Sequence, residues 1–224
     1  MKKAFETDFF LLCACLVAAA SCCKVDHEAP LIDGVWMNMI GRPIEMVDFA
    51  YPGQTLCLRG EHFGNLKRVI VNGKDINLNT LFVYESTTAI TFTLPSDAKT
   101  SGDYIRVVTS WGENEIPFVV RPLDSQPLIT AFSATTLVPG RTLSITGVNL
   151  EGATKVFLPL TFDGTVECSL SEEQPKDGTG VNVIIPDGVD FATGTCVIVM
   201  EKYDSDRSLT YTEKVFSEET SFRN

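Results

Sequence analysis

The chain has 224 residues, 29 acidic against 18 basic side chains, and a formal net charge of -11. A polyanion of this kind repels nucleic-acid phosphates and anionic lipid, which argues against a nucleic-acid-binding role and for a body held away from a membrane surface. Length alone allows one or two domains.

The N-terminal stretch reads as a signal peptide. "MKKAFETDFFLLCACLVAAASCC" opens with Lys2 and Lys3, continues as an apolar run from Phe9 to Ala20, and ends in small residues before Cys22. A charged start, a short apolar run and a small-residue exit define an export signal. The run is short for a bilayer span, which needs roughly 20 residues. Loss of residues 1–21 removes two Lys and two acids, so the net charge is unchanged.

"AAASC" resembles the lipobox of bacterial lipoproteins. The resemblance implies that Cys22 is acylated through its thiol and becomes the mature N-terminus, with residues 22–29 as a lipidated tether. Each buried acyl CH₂ then contributes about 0.8 kcal/mol to anchoring. The implied location is an outer membrane lipoprotein facing the cell surface or the periplasm, touching the membrane through its lipid only. Of the remaining cysteines, Cys23, Cys57, Cys168 and Cys196, none forms a CxxC pair or a zinc pattern. A Cys168–Cys196 disulfide stays open, since sequence does not fix the separation of the two residues.

Beyond the tether the chain reads as strands and turns. "TLCLRG", "KRVIVNG", "AITFTLP", "DYIRVVTS" and "EIPFVVRP" are short runs of β-branched and aromatic residues punctuated by Gly, Pro, Asn and Asp. Asn72-Gly73 predicts a tight hairpin, because its turn needs positive φ at both central residues. The pattern then repeats. "PLIDGV" at Pro30 returns as "PLITAF" at Pro127, and "PGQTLCLRG" at Pro52 returns as "PGRTLSITG" at Pro139. Two copies of one domain follow, 30–122 and 127–217, each near the ~100 residues of an immunoglobulin-like sandwich. The segment between them, residues 121–127 with two prolines, predicts a stiff linker.

"PGQTLCLRGEHFGNLKRVIVNG", Pro52 to Gly73, resembles the opening of an IPT/TIG domain. It carries a Pro-Gly turn, an alternating strand, Gly60, the aromatic corner Phe63-Gly64, and a strand ending in Asn-Gly. "VVTSWGENEIPFVV" is similar to the family's closing hairpin. The second copy departs from the pattern: Leu150 replaces the corner aromatic, and no Asn-Gly follows. The resemblance implies an all-β chain of two tandem immunoglobulin-like (IPT/TIG) β-sandwiches after a lipoprotein signal peptide. A lipobox before such domains resembles the surface lipoproteins of Bacteroidetes polysaccharide-utilisation systems. There, similar domains act as spacers and a further C-terminal domain binds sugar. The implied partners are a polysaccharide or an outer-membrane transport complex.

No catalytic constellation emerges. Gly60 and Gly64 lack the spacing and the helix of a phosphate loop, and no G-x-S-x-G occurs. Only His27 and His62 are present. Metal and acid-base sites combine several ligating groups, so His62 reads as a solvated turn residue. Asp204 and Asp206 read as a hairpin turn before a calcium site. The chain is expected to be no enzyme and to need no cofactor. Sugar binding would use exposed aromatic faces. Trp111, expected at a hairpin tip, is the first candidate, followed by Trp36 and Tyr203. A structural or adhesion spacer mediating protein contacts is the alternative function.

Overall fold

The structure, a computed structural model, describes residues 27–37, 45–77, 84–162 and 164–224. The expected signal peptide and Cys22 lie outside the described residues. The chain divides into two compact units, the first ending at Pro122 and the second spanning Leu123–Asn224. Regular structure among the described residues is strand, apart from one 3₁₀ turn, and the architecture is immunoglobulin-like. No helix among them is long and apolar enough to cross a membrane.

Unit 1 contains β1 (Leu31–Met37), β2 (Glu45–Met46), β3 (Phe49–Ala50), β4 (Thr55–Glu61), β5 (Leu66–Val71) and β6 (Lys74–Asp75). It continues with β7 (Tyr84–Glu85), β8 (Ala89–Thr93), β9 (Tyr104–Thr109), β10 (Gly112–Pro117) and β11 (Val119–Val120). One antiparallel sheet runs β2-β1-β4-β8-β7, a second runs β10-β9-β5-β6, and β3 pairs with β11. Alternation sets the faces. In β4, Leu56 and Leu58 are buried, while Thr55 and Cys57 are half-buried and Arg59 is exposed. Leu56, Leu58, Ile90 and Phe92 of one sheet share a core with Val69, Val71, Ile105 and Val107 of the other. The expected hairpin at Asn72-Gly73 is present, with φ of 49° and 76° and Val71 paired to Lys74. The Asn72 amide donates to Lys99 O at 2.7 Å and its oxygen accepts from Tyr104 N at 2.9 Å.

Unit 2 opens with the 3₁₀ turn Leu123–Ser125 and β12 (Leu128–Phe132), β13 (Thr142–Val148), β14 (Ala153–Leu160), β15 (Gly164–Leu170) and β16 (Gly180–Ile184). It closes with β17 (Thr193–Gly194), β18 (Val197–Asp204), β19 (Leu209–Phe216) and β20 (Thr220–Ser221). Seven strands form one sheet, ordered β12-β13-β16-β15-β14-β18-β19. The reason is β15, which pairs with β14 from Gly164 to Cys168 and then with β16 at Ser169 and Leu170. The fold continues past residue 217. β20 pairs with β17, and Phe222 packs edge-on to Phe132 at 5.0 Å.

Local geometry recurs between the units. Gly53 N donates to Leu94 O and Gly140 N donates to Ile185 O, at 2.8 and 2.9 Å. Gly60 lies inside its strand, because β4 runs on to Glu61. Its role is close approach: a Cβ there would lie 1.9 Å from Leu31 O, and one on Gly147 would lie 2.1 Å from Leu128 O. The same added atoms would strike Phe63 and Leu150. Both side chains are buried and plug equivalent corners.

Cys168 and Cys196 are both buried and unbridged. Register explains this. Cys168 sits beside Val156 of β14, and Val156 sits beside Ile198 of β18. A whole strand therefore lies between them, which puts their Cα atoms about 10 Å apart at the usual strand spacing, beyond a disulfide's reach of about 7 Å. Burial pushes the Cys168 thiol up to about 11, and burial with the neighbouring Cys168 pushes Cys196 up as well.

Candidate functional site

The corner after the strand that carries Gly60 or Gly147 meets two other parts of each unit. These are the segment entering the first strand and the turn of the last long hairpin. In unit 1 the corner is Glu61–Asn65. His62 and Asn65 take φ of 62° and 57°, so the chain reverses in the left-handed region. His62 is not a solvated residue as expected: its side chain is 16 % exposed, with Nε2 3.1 Å from Glu28 and 3.6 Å from Glu61. Glu28 belongs to the entering segment, which fixes the imidazole in place.

The same segment reaches the β9–β10 hairpin. Trp111 occupies its tip, as expected, and Trp111 N donates to Thr109 Oγ1 at 3.1 Å. Trp111 is 38 % exposed, and His27 stands edge-on to its ring with centroids 4.0 Å apart. Ala29 lies where a Gly112 Cβ would sit, 2.8 Å from that point. His27, Glu28 and Ala29 thus fill the space between corner and hairpin. Trp36 is also engaged. Its ring packs over Gly34 on the outer face of β1, and the Arg59 guanidinium lies 5.0 Å from its centroid. A cation on a ring face is worth about 0.5–1 kcal/mol at an exposed site, and it occupies the surface a sugar would use.

Unit 2 builds the equivalent corner from Asn149, Leu150, Glu151 and Gly152. Asn149 takes φ of 55° and Gly152 of 80°. The Asn149 amide donates to Asp124 O and Gln126 O at 2.8 and 2.9 Å. It holds the entering segment as His62 does in unit 1, and these bonds tie the expected linker to unit 2. Here the entering segment does not cover the hairpin. A concavity of about 290 Å³ remains, lined by Ser125, Asn149, Glu151, Gly152, Glu201, Lys202, Tyr203 and Tyr211. Gly152 is required there. Its Cβ would lie 2.2 Å from Glu201 O, and Glu201 N donates to Gly152 O at 2.8 Å.

The polar side of the groove is prearranged. Lys202 is 10 % exposed and pairs with Glu151 at 3.3 Å, and its Nζ donates to Asn149 O at 2.8 Å. A long side chain that would otherwise lose rotamer freedom on binding is already fixed. Glu151 is seated because Gly178 has no side chain: a Cβ there would lie 2.4 Å from Glu151 Oε2. Tyr203 is 66 % exposed and stands opposite Thr210 in the hairpin, with Tyr211 opposite Lys202. At the turn, Asp204 accepts from Asp206 N and Arg207 N, both at 3.2 Å, and its other oxygen meets the Arg207 guanidinium at 3.0 Å. Its carboxylate therefore builds a turn. Among the described residues no cluster of three or more His, Cys, Asp or Glu is arranged to hold a metal.

The structure scatters the three aromatic candidates. Trp36 and Trp111 belong to unit 1 and are partly covered by neighbours, whereas Tyr203 lines an open groove in unit 2. Sequence reasoning missed Asn149, Glu151, Lys202 and Tyr211. The available signal is the departure of "VNLEG" from "EHFGN" of the first copy, which replaces a histidine and a glycine by an amide and a carboxylate.

No family model matches the chain. A curated IPT/TIG domain-containing protein of Bacteroides ovatus is 28 % identical over 189 residues, which is 79 % of this chain and 35 % of that protein. Among solved structures, SGBP-B from a complex xyloglucan utilization locus in Bacteroides uniformis is 16 % identical, covering 87 % of this chain and 49 % of that one with a TM-score of 0.33. The SGBP-B of a Bacteroides ovatus mixed-linkage glucan utilization locus, in complex with a heptasaccharide, is 18 % identical over 80 % and 45 % of the two chains, with a TM-score of 0.30. The chain spans about a third of the length of the curated relative it matches, and by sequence it is similar to that IPT/TIG domain-containing protein.

Proposed function

We propose that the chain is a non-catalytic cell-envelope lipoprotein, anchored through Cys22, that binds glycan or serves as an accessory module of a polysaccharide-utilisation system. The observations that support the reading are the exposed Tyr203 and, on the same hairpin, polar groups prearranged around Lys202. Sugar sites combine these two elements, a flat apolar face for the C–H side of a pyranose and fixed donors and acceptors for its hydroxyls. The lipobox resemblance supplies the location in the outer membrane. A glycan array probed with the full chain tests the reading: signal on at least one polysaccharide class supports it, and a blank array returns the function to the alternative. Acylation is checked separately by palmitate labelling, which a Cys22→Ala substitution abolishes.

The alternative is a spacer that presents or contacts another protein. Its support is the way unit 1 spends its tryptophans, Trp36 under Arg59 and Trp111 against His27. In that case the array stays blank and the chain co-purifies with an envelope partner after crosslinking.

A further inference from the structure

In unit 1 the entering segment forms a strap over the Trp111 hairpin, and its grip runs through one titratable ring. His62 Nε2 lies 3.1 Å from Glu28 of the strap and 3.6 Å from Glu61 of β4. The strap then lays His27 on the Trp111 ring, with centroids 4.0 Å apart. It also seats Ala29 in the notch left by Gly112, 2.8 Å from where a Cβ would stand. We infer that residues 27–29 are a pH-gated cover, which closes over the Trp111 hairpin when His62 is protonated and is released as the ring loses its charge. The gate stands independently of glycan binding.

Charge at one nitrogen sets the gate. Two carboxylates converge on Nε2. A neutral imidazole with its proton there donates one hydrogen bond and leaves the two anions to repel each other. With its proton on Nδ1 it donates to neither. The imidazolium donates and also neutralises the pair, and the two carboxylates in turn favour the charged form of the ring. Imidazole changes charge between about pH 5 and 8. The hold is therefore full at the low end of that range and falls as pH rises through it. Glu28 from the strap and Glu61 from β4 are the charged groups on the ring. The β7–β8 turn and the β9–β10 hairpin meet the corner through uncharged contacts: Phe63 N donates to Thr87 O at 3.0 Å, and Ser110 N to Asn65 O at 3.2 Å. These bonds persist when His62 titrates, so the strap moves against a fixed frame. Unit 2 lacks the device, because Asn149 grips Asp124 O and Gln126 O with an amide that carries no charge.

Acrylamide quenching of Trp111 in the full chain, followed from pH 5.5 to 8.5, tests the gate. Trp36→Phe leaves Trp111 as the one tryptophan, and His27→Phe keeps a ring against it while leaving His62 as the one histidine. The expected result in this double variant is a quenching constant that rises about two- to fivefold in a single-proton step, the weight of an exposed ion pair. His62→Asn removes the step. Asparagine suits the left-handed φ of 62° there, as Asn149 does at 55°. Glu28→Gln gives at pH 5.5 the quenching that its parent shows at pH 8.5. A quenching constant that is flat across the range, or a step that survives His62→Asn, overturns the gate. The same His62→Asn comparison in the otherwise unmodified chain covers the case in which the reporter substitutions disturb the hairpin. There, a pH-dependent part of the quenching that His62→Asn removes supports the gate, and identical pH profiles with and without His62→Asn overturn it.

Discussion

The two corners use one backbone solution and reach opposite outcomes. Each has a glycine against the carbonyl of the first strand, a buried plug, and a residue with left-handed φ that grips the entering segment. In unit 1 the gripping residue is His62, and it draws Glu28 inward so that His27 lands on the hairpin. In unit 2 it is Asn149, whose short amide binds backbone carbonyls instead. The amide fixes the segment by its main chain and leaves the hairpin uncovered. A frame shared by the two units therefore decides where a concavity forms, and two or three side chains decide whether it is filled.

The largest expected effect tests the shared frame. Gly60→Ala and Gly147→Ala each force a methyl into a backbone carbonyl, and each should cost about 5 kcal/mol or more. Urea unfolding measures both, and a large loss in one with tolerance in the other would break the equivalence of the corners. The plugs come next. Phe63→Ala should cost about 3–5 kcal/mol and Leu150→Ala about 2–5 kcal/mol, from lost burial and the cavity left behind. Asn72→Ala should cost about 2 kcal/mol, since it removes two hydrogen bonds of a buried side chain and leaves a left-handed φ.

Smaller effects concern what differs. His27→Ala should leave stability nearly unchanged and shift Trp111 fluorescence to the red as the ring meets more water. An unshifted spectrum would mean that the entering segment does not cover the hairpin in solution. The buried thiols belong to unit 2 and respond to pH. With the Cys168 value raised by burial from 9.0 to about 11, the folded state keeps a proton that the unfolded state loses first. Its contribution is fully present below pH 9 and is lost as pH rises toward 11. Urea midpoints between pH 8 and 10.5 should fall, and less steeply in Cys168→Ala.

Much of the fold was legible because it rests on local chemistry. Alternation in "TLCLRG" marks a strand, Asn72-Gly73 marks a hairpin, and the recurrence of "PGQTLCLRG" as "PGRTLSITG" marks a repeat. What failed was side-chain company. His62 reads as solvated in the sequence because its partner, Glu28, lies 34 residues earlier in the chain and nothing local points to it. The contact between His27 and Trp111 is hidden in the same way: a tip position is visible in sequence, and the residue packed against the tip is not.

The sequence by itself determined the all-β class, the two-fold repeat, the turns and the inward face of the strands, because periodicity and backbone preference act over a few residues. Only the tertiary structure decided which exposed aromatic stays uncovered and which polar groups gather beside it. It also decided that β15 joins unit 2 into one sheet and that a strand keeps Cys168 from Cys196. Those outcomes depend on the meeting of segments tens of residues apart, where packing space and hydrogen-bond geometry select the neighbour.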